Sequence, residues 1–206
     1  MRKALALALM LLSCRGETVE APVGGDAASD ATAEAAPDGS TDTSFADIAD
    51  GEAAGCMLPG SILVNGGFET GTSGWLKNSC KTETIPGPCG GSGIRVFDVI
   101  NYGSIGQIVA RKLPKGTRVR ARAYFKQSGT LGGSPPYLEV GSIRYVDGGE
   151  VREGLGFTLA DIGPTWVAVE TTGVLTEDAS ELFVGIASKR EEADEFAVAA
   201  VSLVVE

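Results

Sequence analysis

The 206-residue chain contains no histidine, which removes the commonest general base and the Ser–His and Cys–His nucleophile constellations. It has no phosphate-cradling P-loop and no dinucleotide fingerprint at a strand-to-helix junction. Convincing amphipathic helical periodicity is missing, and no internal repeat is visible. No apolar run is long enough to cross a bilayer as a helix. Large rings are scarce, with two Trp, four Tyr and seven Phe, so the position of each one matters. A pair of carboxylates can hydrolyse a glycosidic bond without histidine. No local pattern singles out such a pair, and the chain is expected not to be an enzyme.

What is present falls into three parts. Residues 1–13 open with Arg2-Lys3 and the short apolar run ALALALMLLS, a basic n-region and h-region of an export signal. The LLSC that follows is similar to a bacterial lipobox, in which Cys14 becomes the lipidated first residue. That resemblance implies a membrane link through the lipid alone, at a cell envelope, with the outer membrane expected because Arg15 is not the retention Asp. Residues 14–55 are built mostly of Ala, Asp, Glu, Thr, Gly and Pro, with Phe45 the one aromatic and with ten acids and one base from Arg15 to Gly55. So little apolar surface cannot offset the entropy of ordering, and a disordered acidic linker is expected. The chain's net charge of −10 is therefore a linker property. The remaining domain, residues 56–206, sits near −3, and no nucleic-acid partner is expected.

Glycine and β-branched residues dominate residues 56–206, and short alternating runs recur between turn signals. The pattern predicts an all-β sandwich. Strands are expected near Ile62–Val64, Gly74–Lys77, Gly93–Val99, Ser104–Arg111, Thr117–Lys126, Tyr137–Val146, Gly154–Thr158, Thr165–Thr172, Leu182–Ser188 and Phe196–Val205.

The stretch Val64–Trp75, VNGGFETGTSGW, sets Phe68, Glu69 and Trp75 between glycine-rich turns. It resembles the opening of carbohydrate-binding modules with the galactose-binding-like jelly-roll fold, and the likeness can be followed from about Ser61 to the C-terminus. The resemblance implies that Phe68 and Trp75 plug the core and that Glu69 helps hold a structural calcium. One departure weakens the calcium: where such modules often read D-D-V-x-L, this chain has Ala199-Ala200-Val201-Ser202-Leu203. Gln107 also falls where such modules often place a Gln. Trp166, opening a late strand, is expected in or near the core.

With Cys14 lipidated, Cys56, Cys80 and Cys89 remain. Cys80 and Cys89 flank a loop holding Pro86, Gly87 and Pro88, so a Cys80–Cys89 disulfide is expected, with Cys56 bonded to either partner as the alternative.

For a ligand, Arg118–Lys126 stands out. Alternation puts Val119, Ala121, Ala123 and Phe125 on one face and Arg118, Arg120, Arg122, Tyr124 and Lys126 on the other. Tyr124 can stack on a sugar ring while Arg120 and Arg122 grip hydroxyls, or the carboxylates and sulfates of an anionic saccharide. The competing reading is a solvated face paired with acids such as Glu139 or Glu170. Tyr102 and Tyr137 are further candidates. The expected function is non-catalytic binding of an oligo- or polysaccharide by an envelope lipoprotein. The alternative is a surface adhesion or protein–protein module on the same fold.

Overall fold

The computed structural model describes residues 55–99, 103–129, 135–188 and 195–206. Among the described residues ten strands form: β1 (Leu76–Asn78), β2 (Lys81–Pro86), β3 (Ser92–Phe97), β4 (Ser104–Leu113), β5 (Arg118–Gln127), β6 (Tyr137–Val146), β7 (Gly149–Leu159), β8 (Val167–Val174), β9 (Ala179–Ala187) and β10 (Phe196–Val205). They form two five-stranded sheets, sheet I in the order β1-β4-β9-β6-β7 and sheet II in the order β2-β3-β10-β5-β8. Every pairing is antiparallel, and no α-helix occurs among the described residues. The fold is a jelly-roll β-sandwich, as the alternation predicts.

Period-two patterning decides what lies between the sheets. Val119, Ala121, Ala123 and Phe125 of β5 are fully buried, as are Leu138 and Val140 of β6 and Leu182 and Ile186 of β9. Phe125 packs against Phe196 of β10 at 6.3 Å between ring centroids. Phe68 and Trp75 enter the same core, their centroids 5.0 Å apart. Their loop is pinned by two amides. Asn65 donates through Nδ2 to the carbonyls of Gly71 and Ser73, and its Oδ1 accepts from the Thr70 amide. Gln107, buried on β4, donates to the carbonyls of Val64 and Gly74 and accepts from the Val64 amide. Trp75 completes the knot by donating its indole N–H to the Asn65 carbonyl at 3.0 Å.

Three expectations are corrected. Ile62–Val64 is not a strand: Ile62 donates one backbone bond to Leu203, and the segment is otherwise tied by the side chains of Ser61 and Gln107. An unexpected strand, β2, lies at the edge of sheet II, where KTETIP buries almost nothing and so lacks an apolar signal. The disulfide joins Cys56 to Cys89, with a Cα–Cα distance of 6.1 Å, and Cys80 is free. The physical reason is β2 itself. Six extended residues between Cys80 and Cys89 hold them roughly 20 Å apart, whereas a disulfide needs Cα atoms within about 7 Å. Cys80 instead donates its thiol to the Ser104 carbonyl, and partial burial raises its pKa above the ordinary thiol value.

Candidate functional site

The outward residues of β5 lie on the outside of sheet II. Tyr124 is only 6% exposed. It packs in a small satellite cluster with Cys56, Ala200, Met57, Cys89 and Trp166, so the disulfide seals the segment that opens the domain over the tyrosine. Trp166 lies outside the main core: its Cη2 approaches Gly93, where a Cβ would meet it at 3.4 Å. The arginines are already engaged. Arg122 Nε lies 2.9 Å from Glu170 Oε1, and Arg120 Nε lies 2.9 Å from Glu206 Oε1. Glu170 also faces Arg120 at 3.9 Å. Further along, Arg95 pairs with Glu195 at 2.5 Å, and that carboxylate raises the guanidinium's pKa. Arg122 and Lys126 sit over the rings of Tyr124 and Trp166, at 5.8 and 5.9 Å. Thus Arg120, Arg122 and Tyr124 are brought together, but the ring is covered and the guanidiniums are partnered. Glu170 is the partner expected for them; Glu139, the other acid expected there, lies on sheet I.

Tyr137 sits on the opposite side of the sandwich. On sheet I, Gln107, Val184 and Val140 are cross-strand neighbours facing inward, so Gly106 and Ile108 of β4, Phe183 and Gly185 of β9, and Glu139 and Gly141 of β6 face outward. Glu139 stands opposite Gly185 on one side and opposite Phe157 of β7 on the other. The Tyr137 and Phe157 rings meet edge-to-face at 6.3 Å, a favoured geometry for aromatic pairs. Phe157 is 63% exposed and its neighbour Leu159 51%. Glycine makes room beneath these side chains. A Cβ on Gly185 would lie 2.6 Å from Glu139 Oε1, and one on Gly141 would run into the Phe183 ring. The outcome is a face with aromatic edges, a low floor and a carboxylate in register between them.

Phe157, Phe183 and the role of Glu139 escaped the sequence. The signal was the β6–β7 hairpin, but a bulge misleads any count from its turn. From Val146–Gly149 to Gly141–Gly154 the pairing is regular, and then Val140 pairs with Gly156, leaving Leu155 as the extra residue. Counting back from the turn without the bulge puts Phe157 opposite the core residue Leu138; the bulge shifts it opposite Glu139 and turns it outward.

Glu69 is exposed on its loop, and its carboxylate folds back over Gly67. Among the described residues no group of three or more Asp, Glu, Cys or His gathers at one point. Ala199 and Ala200 offer no side-chain oxygen, so these residues do not fit a calcium cage. Tyr102 and Cys14 lie outside the described residues.

No protein-family model and no curated protein matches the sequence. Solved structures do match the fold. The enzymatically active domain of tailspike protein 4 from bacteriophage CBA120 superposes with a TM-score of 0.54 at 12% identity, over 71% of this chain and 21% of that one. The CBM22-1–GH10 modules of xylanase 10B from Clostridium thermocellum, complexed with xylohexaose, give 0.53 at 15% identity, over 71% and 29%. The chain thus spans less than a third of the length of either protein. The CBM22-1 xylan-binding domain of Xyn10C from Paenibacillus barcinonensis gives 0.50 at 17% identity, over 68% of this chain and 90% of that domain. At these identities the likeness is one of fold, the β-sandwich found in carbohydrate-binding modules.

Proposed function

We propose that this domain is a non-catalytic saccharide-binding module and that the outer face of sheet I is where the saccharide lies. The carrying observation is the register of Tyr137, Phe157 and Glu139 over glycine: the exposed Phe157 ring, able to stack on a pyranose, with the half-buried Tyr137 ring edge-to-face beside it and a carboxylate that can accept from hydroxyls. The likeness in fold to a xylan-binding domain supports the same reading. Support for a non-catalytic role comes from spacing. Glu139 and Glu181, the outward acids of the central strands, are offset by four residues in register. That is about 13 Å along the strands, wider than the roughly 5–10 Å at which paired carboxylates hydrolyse glycosides. The anionic saccharide expected from Arg120 and Arg122 has less support, because Glu170 and Glu206 already neutralise both. The proposal includes a lipid anchor at Cys14 and display at the cell envelope, in the outer membrane. It is supported by the export-signal pattern of residues 1–13 and the LLSC that ends at Cys14.

The test is a glycan array with the wild-type chain and Phe157→Ala. Binding that Phe157→Ala abolishes supports the face; binding that survives it unchanged, or no glycan bound at all, defeats it.

A further inference from the structure

The edges of the two sheets are not equally protected against pairing with a further strand. Among the described residues β1 is three residues long, β2 ends on Pro86, and β8 lies against β7, where a Cβ on Gly173 would run into Leu155. The first half of β7 carries no proline, and its bulge comes only at Leu155. Gly149, Glu150, Val151 and Arg152 are all exposed. The β6–β7 hairpin turns at Asp147 and Gly148, both with positive φ, and closes on the pair Val146–Gly149. Alternation from that hydrogen-bonded pair bonds Val151 to Arg144 and Glu153 to Ser142 across the hairpin. The backbone N–H and C=O groups of Glu150 and Arg152 therefore point away from β6, at the edge of the sheet. Their side chains stand opposite Tyr145 and Ile143 on the outer face of sheet I, where Arg152 pairs with Glu150.

Charges usually guard an edge strand, but opposite charges two residues apart are self-complementary about the residue between them. Set a second copy antiparallel to the first with Val151 opposite Val151. Glu150 of each copy then falls opposite Arg152 of the other, and these two pairs exchange four backbone hydrogen bonds. The two valines form the closer, non-hydrogen-bonded pair between them. The neighbouring registers with the same bonding pattern set Glu150 opposite Glu150, or Arg152 opposite Arg152, and like charges directly opposite are destabilising. We propose that this chain dimerises through the Gly149–Glu153 edge of β7 in the Val151 register, the partner being a second copy. The pairing stops short of Leu155, and so small an interface makes a weak, concentration-dependent dimer. Its two-fold axis stands normal to the sheet, so both copies turn the outer face of sheet I the same way in one continuous sheet. On the saccharide reading this gives bivalent attachment to one polymer; the pairing itself does not depend on that reading.

The test is sedimentation equilibrium of the full-length chain from the micromolar to the millimolar range, with non-reducing electrophoresis to exclude dimers linked through sulfur. Wild type is expected to associate reversibly to dimers. Arg152→Glu sets acids opposite each other in both pairs, and Glu150→Arg sets bases opposite each other. Each variant, with its melting temperature checked against wild type, is expected to weaken association about tenfold or more. Mixing the two variants brings opposite charges together again in both pairs, and association is expected to return to about the wild-type strength. A wild type that stays monomeric across the range overturns the inference. So does association that either variant leaves unweakened, or a mixture that associates no better than each variant alone.

Discussion

On the outside of sheet II, a tyrosine, a tryptophan and two arginines are covered, bridged or paired. On the outside of sheet I, a tyrosine, a phenylalanine and a glutamate stand in register above glycines. The residue types are similar, and what separates the two faces is what has been laid over them. Cys56 enters on the sheet II side and is bonded to Cys89 at the β2–β3 turn, which closes a lid over Tyr124. Phe157 on the outside of sheet I, by contrast, remains 63% exposed. An aromatic beside arginines is therefore a poor guide to a binding face until the cross-links above it are known.

The sharpest way to separate the faces is to truncate one ring on each. Tyr124→Ala removes a buried ring and is expected to cost about 3–5 kcal/mol in denaturant unfolding, with the folded fraction keeping its glycan affinity. Phe157→Ala should change stability by less than about 0.5 kcal/mol and weaken glycan binding about tenfold or more. A reversal of these two outcomes would exchange the roles of the faces.

Cutting the lid is the next largest effect. Cys56→Ser opens the bridge across a sequence separation of 33 residues and should cost about 2–4 kcal/mol. It should also raise the exposure of Trp166, read as a red shift of its emission. Cys80→Ser serves as the control and should cost less than about 1 kcal/mol. If the Cys80 variant were the damaging one, the bridge would have been drawn to the wrong sulfur.

The thiol gives a pH readout of the same contrast. Burial raises the Cys80 pKa, so the unfolded chain loses this proton before the folded one does. The stability associated with that group is complete below the unfolded thiol's pKa and declines as pH rises towards the folded value. Alkylation of native Cys80 should accordingly turn on at higher pH than alkylation of a small free thiol; a profile matching the free thiol would contradict its burial.

Smallest of all is the ion-pair ladder on sheet II. Glu170→Gln removes the partner of Arg122 on a half-exposed surface, and is expected to cost no more than about 1 kcal/mol, less at high salt. Glycan affinity should be untouched, measured by titration beside wild type.

Much of this fold was legible because the strands alternate cleanly. Val119, Ala121, Ala123 and Phe125 mark the inner face of β5 without any knowledge of partners, and they are all fully buried. Phe68 and Trp75 were placed in the core through the resemblance of their stretch to carbohydrate-binding modules, and their loop is held locally, with Asn65 closing it on itself. What stayed hidden depends on long-range register. The cover over Tyr124 comes from Cys56, in a segment that also anchors its Leu58 amide to Ser202 Oγ across 144 residues. Phe157 was hidden by a single extra residue, Leu155, that reverses which side of β7 faces solvent. Cys80–Cys89 failed because β2 reads as a loop, being polar and exposed, yet is extended and holds its ends apart.

The central claim is that the saccharide lies on sheet I and not on sheet II. Amide chemical-shift mapping during titration with the best-binding oligosaccharide tests it directly. The shifts are predicted to concentrate at Tyr137, Glu139, Phe157 and Phe183. Shifts concentrated at Arg120, Arg122 and Tyr124, with those four unmoved, would contradict it.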